Sequence, residues 1–431
     1  MTSQNRRLTM KDNQAKYPQL RFKGFTDPWE QRKFEYLLDE NDGIRRGPFG
    51  SALKKECFVS QSDYVVYEQQ NAIYNKYETR YNITKDKFEE LKKFELKPED
   101  FIMSGAGTIG RISRVPHGID KGVFNQALIR FRIDNRITDS EYFLQFIRAD
   151  FMQKKLTSTN PGSAITNLVP MSEVKKWGIL VPQINEQSKI GIFFKQLDDT
   201  ITLHQRKLAK LKELKQGYLQ KMFPKNGSKF PQLRFAGFAD DWEERKLSSG
   251  LREYTDRVIV EDDKEYYQIS VRNNFGGITL RGSKMGNKIG RKRQAKINLT
   301  KYPQTLIFTR QTVEQGGIGW VDKYCDGAIV TENMPTISLD TSVFSKYFLT
   351  NLFQTRIFYK NAILDNVEGG SAQIAIHESK FLSSTLLFPN LDEQKKIGAF
   401  FKQLDDTITL HQRKLDLLKE QKKGFLQNMF V

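Results

Sequence analysis

Two long stretches of the chain carry hydrophobic residues at alternating steps of four and three, which is the heptad pattern of a helix with one apolar seam. They cover residues 186–223 and 393–430, and 30 of their 38 positions are identical at a shift of 207 residues. The pattern predicts two helices whose seams are built from the same residues. The seam positions are Ile190, Phe194, Leu197, Ile201, His204, Leu208 and Leu211 in the first copy, and Ile397, Phe401, Leu404, Ile408, His411, Leu415 and Leu418 in the second.

Each of these helices needs a partner, because an isolated helix would expose its seam to water. The partner that we expect for each copy is the other copy. Asn185 and Asp392 each follow a proline by three residues, and both residue types are good N-caps. Pro224 follows the first copy, where it would stop a helix. We therefore predict spacer helices over residues 185–223 and 391–431.

A second repeat shows that the whole chain is built from two units. Residues 17–33 return at 230–246 with 12 of 17 positions identical, at an offset of 213 residues. Each unit thus consists of an opening segment, a variable domain and a long helix. The predicted recognition domains are 17–184 and 230–390, and a polar tail covers 1–16.

The short linker at 224–229 constrains how the units are arranged. The second opening segment must pack near the end of the first helix, because only six residues separate them. By the symmetry of the repeats, the first opening segment should pack near the end of the second helix. This reasoning predicts two antiparallel helices forming an intramolecular coiled coil, with the two units related by a pseudo-twofold axis.

The variable domains combine β-branched and aromatic runs with helical patterns. Ser140–Leu156 and Ser342–Tyr359 have the periodicity of helices, and glycine-rich turns follow apolar runs in both domains. We predict two compact domains of mixed α/β (α+β) fold. The sequence does not predict their strand order.

Several patterns that could signal catalysis have simpler explanations. Gly105–Gly110 matches a dinucleotide-binding fingerprint, but a β-branched segment ending at Pro116 follows it, which favours a glycine-rich hairpin. The four histidines are scattered, and we interpret His204 and His411 as a polar pair that fixes the helix register. Asp198–Asp199 and its repeat at 405–406 are expected on the solvated flank of the helix. We therefore predict no catalytic residue and no metal site.

Charge is the strongest compositional signal. The chain of 431 residues has a formal net charge of +18, which favours a polyanionic partner. The two cysteines, Cys57 and Cys325, form no disulfide framework, and no apolar run is long enough for a signal core or a membrane span. These features predict a cytoplasmic protein without a membrane partner.

Glycine-spaced cations form one cluster in each half of the chain. Such a run can simply be a solvated surface, but two clusters with flexible backbones favour contacts with phosphates and bases. The candidate DNA-binding residues are Arg45, Arg46, Lys54, Lys55, Arg111, Arg114 and Lys121 in the first half, and Arg281, Lys284, Lys288, Arg291, Lys292, Arg293 and Lys296 in the second.

The repeats, the diverged domains and the basic loops together resemble the specificity subunit of type I restriction-modification enzymes. The resemblance covers essentially the whole chain. It rests on the FPxLRFxGFxxxWExRKL opening segments, the GPFGSALKK stretch at 47–55, and the EQxKIGxFF helices that end in LQKMF or LQNMF.

This resemblance implies a division of labour among subunits. Each variable domain would read one half of a split site on double-stranded DNA, and the helices would set the spacing and bind two modification subunits. Those subunits would carry S-adenosylmethionine and methylate adenine, while restriction subunits would translocate and cleave DNA with ATP and Mg. No cofactor would be bound by this chain itself.

Two other classes of function remain as alternatives. One is a self-contained DNA-modifying enzyme with an unrecognised site, for which methyl transfer by the chain alone would be the test. The other is a coiled-coil adaptor without a DNA role, which would leave the charge of +18 unexplained.

Overall fold

The computed structural model describes residues 17–159, 166–225, 227–290, 295–366 and 375–430. The chain divides into two compact units. Unit one comprises residues 1–205 and 414–431, and unit two comprises residues 206–413.

Unit one holds the first recognition domain. Its strands are β1 (Glu30–Lys33), β2 (Ile44–Arg46), β3 (Phe58–Val59), β4 (Tyr64–Tyr67), β5 (Tyr81–Ile83), β6 (Phe101–Ser104), β7 (Ile112–Arg114), β8 (Lys121–Phe124), β9 (Leu128–Phe131), β10 (Thr157–Thr159), β11 (Thr166–Leu168) and β12 (Gly178–Val181). Its shorter helices are α1 (Gln69–Tyr74), α2 (Lys85–Glu90), α3 (Ser140–Arg148), α4 (Asp150–Leu156) and α5 (Met171–Val174). Short 3-10 turns lie at Phe34–Leu37, Gly50–Ala52, Lys55–Cys57 and Lys92–Phe94.

The long helix α6 (Ile184–Lys221) starts in unit one and continues into unit two. The strands of unit two are β13 (Glu243–Lys246), β14 (Leu251–Tyr254), β15 (Glu265–Val271), β16 (Ile278–Met285), β17 (Ala295–Lys296), β18 (Thr305–Phe308), β19 (Ile318–Trp320), β20 (Ile329–Val330), β21 (Thr336–Leu339) and β22 (Thr385–Phe388). Its helices are α7 (Lys346–Leu352), α8 (Arg356–Phe358), α9 (Glu378–Ser383) and the second long helix, α10 (Leu391–Asn428), which returns into unit one. Its 3-10 turns lie at Leu247–Ser249, Gly286–Lys288, Val313–Gln315, Lys323–Cys325 and Leu364–Asn366, with a π-helical turn at Tyr359–Ile363.

The two recognition domains share part of their sheet topology and differ in the rest. Each has a two-stranded antiparallel sheet, β1–β12 or β13–β22, and a four-stranded sheet in equivalent order, β2-β9-β6-β7 or β14-β21-β18-β19. The other four-stranded sheets differ in connection: β3-β5-β4-β8 in unit one and β16-β15-β20-β17 in unit two. The predicted mixed α/β class is confirmed.

Within each unit, the start of one long helix packs against the end of the other in the opposite direction. In unit one, the rings of Phe193 and Phe425 lie 5.0 Å apart and Lys422 Nζ lies 2.6 Å from Asp198. In unit two, the rings of Tyr218 and Phe400 lie 5.0 Å apart, and Lys215 Nζ lies 2.7 Å from Asp405. The antiparallel pairing of the two helices is therefore confirmed.

The predicted seam is the least accessible stripe of these helices. Ile190, Phe194, Ile201, Leu208, Ile397, Phe401 and Leu415 are buried, and the remaining predicted seam positions, including His204 and His411, are half-buried. The heptad pattern also places Lys215 and Lys422 in the seam, and the ion pairs above show how these cations are accommodated.

Each opening segment joins the end of one long helix to the start of the other. In unit one, the backbone N–H of Leu20 donates to Asn428 O over 2.8 Å, while the Arg21 guanidinium donates two hydrogen bonds to Glu186, of 2.6 and 2.8 Å. In unit two, Leu233 donates to Lys221 O and Arg234 donates twice to Glu393 at 2.7 Å. The predicted packing of both opening segments against helix ends is confirmed.

The residue after each of these glutamates attaches the helix to its recognition domain. The Gln187 side chain donates to Ile137 O and Pro182 O and accepts from the backbone N–H of Asp139. The Gln394 side chain likewise donates to Val343 O and Pro389 O and accepts from the N–H of Ser345. Every one of these partners is a backbone atom.

Two predictions about the helix ends and flanks are wrong. The helices begin at Ile184 and Leu391, so Asn185 and Asp392 lie inside the first turn. At the second helix it is Asn390 whose side chain accepts from the N–H of Glu393. Asp198 is not on a solvated flank, because it pairs with Lys422 and also accepts from the Gln145 side chain at 3.0 Å.

Over the described part of the chain, every helix is either too short or too polar to cross a lipid bilayer. Helix α6 is long, but it carries charged residues throughout its length.

The buried glutamate at the start of α6 should be essential for the stability of unit one. Glu186 is 1% exposed, and its carboxylate also accepts a 3.2 Å hydrogen bond from the Trp29 indole. In Glu186→Ala the Arg21 guanidinium and the Trp29 indole lose their shared acceptor, so we expect the free energy of unfolding to fall by about 3–5 kcal/mol. Urea unfolding followed by tryptophan fluorescence measures this loss.

The matched control is Glu30→Ala. Glu30 pairs with Arg32 on the surface, and both side chains are about half exposed, so its removal should change the same free energy by less than about 1 kcal/mol. Equal losses for the two variants would contradict the role given to Glu186.

Candidate nucleic-acid interface

The structure separates the predicted cations of unit one into free and engaged groups. Arg46, Lys54, Lys55 and Arg111 are exposed and form no ion pair with any residue of the described ranges. Arg45, Arg114 and Lys121 instead have partners within the domain, and the first two are half-buried. The free group carries charge that no ion pair of the described ranges offsets, and Lys121 is likewise exposed, with aromatic rings as its partners.

Arg45 belongs to a network centred on Asp42. Its guanidinium donates to the Asp42 carboxylate at 2.7 and 3.0 Å, and Arg130 and Arg132 pair with the same carboxylate. Burial would raise the pKa of Asp42, but the hydrogen bond from Arg45 and the charge of Arg130 outweigh it and hold the pKa below its ordinary value. The Arg45 side chain is therefore held by Asp42 within its own domain.

Arg114 and Lys121 are engaged in other ways. Arg114 lies 2.7 Å from Glu141 and donates to Ser140 Oγ at 3.1 Å. Lys121, the first residue of β8, has its Nζ 5.1 Å from the centre of the Phe88 ring. Because β8 runs away from Lys121 into the loop at 125–127, the structure does not bring Lys121 to the loops that carry Arg46 and Arg111.

Arg46 and Arg111 lie at the same end of the sheet β2-β9-β6-β7. Arg46 is the last residue of β2 and pairs with Ile129, near the start of β9. Arg111 directly precedes β7, and β6 ends beside it at Ser104, opposite Leu128. The sheet thus places a free cation on each of its outer strands, with the glycine loop 105–110 between them.

That glycine loop joins two antiparallel strands, as predicted. β6 and β7 are paired, and the loop is closed by hydrogen bonds from the N–H of Gly110 to Ser104 O and from the N–H of Ser104 to Arg111 O. No helix opens at Gly110, so the loop lacks the geometry of a dinucleotide site.

In unit two, three free cations lie along one exposed β-hairpin and the turn after it. Strand β16 is an edge strand that pairs with β15. Arg281 and Lys284 on β16, and Lys288 in the turn after it, are exposed and have no ion-pair partner in the described ranges. Arg291, Lys292 and Arg293 lie outside the described residues. Lys296 is exposed on β17, at the other edge of the same sheet.

The hairpin contains an irregularity at Arg281. Gln268 pairs with Gly282 and Ile269 with Leu280, so Arg281 is the extra residue of a β-bulge. Gly282 has a φ of +125°, a conformation that glycine adopts readily. Bulges redirect a side chain relative to the regular strand. A two-stranded ribbon of this kind has the width of the major groove.

Two exposed aromatic residues beside these cations were missed by the sequence-based reasoning. Phe49 is 89% exposed in the loop after β2, and Tyr267 is 55% exposed on β15. The signal for Phe49 was its position between glycines in a basic stretch. Tyr267 could have been found from the alternation of residue types along its strand, but the search for DNA contacts considered only charged residues.

One cleft of unit two is predominantly acidic. It encloses about 980 Å³ at the end of β14, and its lining includes Glu253, Glu261, Glu332 and Glu378. Burial, and secondarily Glu378, raises the pKa of Glu253. Such a cleft does not suit a phosphate backbone.

Among the described residues, no group of three or more His, Cys, Asp or Glu side chains could hold a metal ion. Cys57 is half-buried, Cys325 is buried, and both are free thiols.

Comparison with known proteins adds an independent line of evidence. The family described as the type I restriction modification DNA specificity domain matches residues 49–213 and again 225–420. The specificity subunit of the type I restriction enzyme MjaVIII from Methanocaldococcus jannaschii is 23% identical over 322 residues, which is 71% of this chain and 73% of that protein. A putative MjaX specificity subunit from the same organism is 20% identical over 79% of both chains.

Solved structures support the same fold. The S subunit of a type I restriction-modification system from M. genitalium has a TM-score of 0.58 at 12% identity, covering 96% of this chain and 99% of that one. A chain from a study of type I complex assembly and conformational transition has a TM-score of 0.52 at 15% identity and covers 93% of this chain and 97% of that one. The family match spans most of the sequence in two copies. The chain therefore belongs to the type I restriction-modification specificity family and is the non-catalytic DNA specificity subunit of such a system.

Proposed function

We propose that the two recognition domains read two different half-sites of one DNA duplex. The observation that carries this proposal is that the two domains place their free, exposed cations on different elements. Arg46 at the end of β2 and Arg111 just before β7 lie at one end of a sheet in unit one, whereas Arg281 and Lys284 lie on an edge hairpin in unit two. Surfaces that differ this much are suited to different base sequences.

The cations divide by the contacts that they can make. Lysines and arginines on loops suit the phosphate backbone, which positions a protein without reading sequence. Arg281 is a candidate for base readout, because an arginine can donate two hydrogen bonds to guanine in the major groove. The bulge places Arg281 on an exposed ribbon whose other strand carries the exposed Tyr267, opposite Ser283.

The partners of the subunit follow from the same repeat. Two modification subunits would bind the long helices and methylate an adenine in each half-site, after the base is extruded from the duplex. Restriction subunits would add translocation and cleavage. S-adenosylmethionine, ATP and Mg would be bound by those partners, and the complex would work in the cytoplasm, where its DNA lies.

Equivalent exposed leucines support the count of two modification subunits. Leu203 and Leu410 occupy the same position in the two copies of the helix and are 51% and 65% exposed. A large apolar side chain that remains exposed on a helix suits a protein interface. The two copies therefore offer matching contacts to two identical partners.

Native mass spectrometry of the assembled complex tests this stoichiometry. The wild-type chain should retain two modification subunits, and Leu203→Glu should retain one because a buried charge would disrupt its interface. Leu410→Glu should also retain one, and the double variant none. A wild-type complex with a single modification subunit at saturating partner would contradict the proposal.

Neighbouring arginines allow a sharp test of the DNA contact. Arg46→Ala should weaken binding and reduce the slope of log K against log salt by about one unit if Arg46 contacts a phosphate. Arg45→Ala should leave that slope unchanged, because Asp42 holds its side chain. Affinity for the duplex, measured by fluorescence anisotropy across a salt series, gives both slopes. A reduced slope for Arg45→Ala alone would reverse the assignment.

A domain exchange tests the two independent readers. Replacing residues 247–390 by the equivalent segment of a relative should change one half of the methylated site and leave the other half and the gap intact. Sequencing of methylated adenines in cells that carry the hybrid enzyme measures the outcome. A hybrid that rewrote both halves together would refute the proposal.

A further inference from the structure

We propose that Phe49 is a stacking residue that inserts into the first half-site and fills the space left when a base leaves the duplex. This inference rests on the proposed reading of DNA by unit one. It concerns an uncharged side chain that lies within the basic stretch of unit one.

Phe49 is exposed to an unusual degree. At 89% it is the most accessible large hydrophobic side chain in the described part of the chain. Full burial of such a side chain is worth about 1.5–3 kcal/mol, and the fold forgoes almost all of it. A phenylalanine in this position contributes little to the stability of the domain.

The exposure does not come from a loosely held loop. Gly47 donates from its N–H to Leu128 O at 2.9 Å, and Ala52 donates to Phe49 O at 2.8 Å. A Cβ atom on Gly47 would lie 1.9 Å from Asn125 O, so the backbone there packs directly on the neighbouring loop. Pro48 and Leu53 on either side are buried.

The loop is therefore anchored before and after Phe49, and it presents the ring outward from a fixed backbone. A preorganised side chain loses little conformational entropy on binding. This geometry suits a residue that must enter a narrow space in a ligand.

The charges around Phe49 favour DNA as that ligand. Arg46 precedes it, Lys54 and Lys55 follow it, and Arg111 lies at the same end of the sheet, all of them exposed and outside any described ion pair. Glu56 is the only acid from residue 46 to residue 57. Cations on both sides of an apolar tip can hold phosphates while the tip contacts bases.

The chemistry of the partners supplies the reason for an inserted ring. A methyltransferase reaches an adenine in a duplex by extruding the base, which costs unstacking energy and leaves a gap. An aromatic ring that stacks on the remaining bases stabilises the opened duplex. Phe49 has both the flat apolar face and the accessibility that this role requires.

Unit two offers a matched control at the equivalent place. Ile259 is 88% exposed and lies in the loop after β14, the strand equivalent to β2. Within five residues of Ile259 along the chain, four acids outnumber two cations, and this balance disfavours close approach to phosphate. The acids are Asp256, Glu261, Asp262 and Asp263, and the cations are Arg257 and Lys264. Ile259 therefore has the same exposure in an unsuitable electrostatic setting.

The test uses the full chain assembled with its modification subunits. The duplex carries the sequence that the assembled enzyme methylates, in unmethylated form. 2-Aminopurine, whose fluorescence rises when it unstacks, replaces the target adenine in the first half-site. The wild-type complex should raise the fluorescence. Phe49→Ala should abolish the rise and weaken binding roughly tenfold to hundredfold, while Phe49→Trp should retain both.

Further measurements separate the inference from simpler explanations. Thermal unfolding of Phe49→Ala should match that of the wild type, and a mismatch opposite the target adenine should restore part of its lost affinity, because the base is then easier to extrude. Ile259→Ala should leave binding and fluorescence unchanged.

Three results would overturn the inference. The first is an undiminished fluorescence rise with Phe49→Ala. The second is normal DNA binding by the Phe49→Ala chain together with loss of a modification subunit, which would make Phe49 a protein contact. The third is a wild-type complex that does not distinguish its target from a scrambled duplex, which would remove the proposed function itself.

Discussion

The arrangement of each unit depends on a carboxylate that is buried at the start of a long helix. Glu186 and Glu393 are 1% and 0% exposed, and each accepts two hydrogen bonds from an arginine of an opening segment. A buried charge that loses its partner is costly, so the opening segment must stay in place. Since the same segment also binds the end of the other long helix, one ion pair connects three parts of the chain in each unit.

The helical frame is built to pair with its own copy. The aspartate of one copy meets the lysine of the other: Asp198 with Lys422 in unit one, and Asp405 with Lys215 in unit two. An antiparallel pair of nearly identical segments makes equivalent contacts twice, once in each unit. The partly buried charges also disfavour other registers, in which an aspartate or a lysine would lose its partner.

The sequence was informative where contacts follow from periodicity or from repetition. Heptad spacing predicted the paired helices, and the short linker after Phe223 predicted the packing of both opening segments. Asn185 was misjudged as a cap because a cap depends on where the first turn begins, and the helix begins two residues earlier than that cap implies, at Ile184. Asp198 was misplaced because Lys422 and Gln145, its partners, approach from distant parts of the chain.

The candidate DNA surface was predicted less completely, for a physical reason. Charge composition identifies cations, but whether a cation is free depends on its tertiary neighbours. Arg45 and Arg46 are adjacent, yet Asp42 engages only the first. The exposure of Phe49 and the bulge at Arg281 likewise arise from packing and strand pairing, which local sequence does not determine.

The hydrogen bonds of Gln187 and Gln394 bear on how such a protein can change its target. Both side chains hold their recognition domain through backbone atoms alone, at Ile137 and Asp139 in one unit and at Val343 and Ser345 in the other. A backbone carbonyl or N–H is the same whatever side chain it carries. Substitutions at these four positions can therefore accumulate without a matching change in either glutamine, whereas the contact of Gln145 with Asp198 does depend on its side chain. New DNA specificities can arise in one half of the protein while its scaffold stays the same.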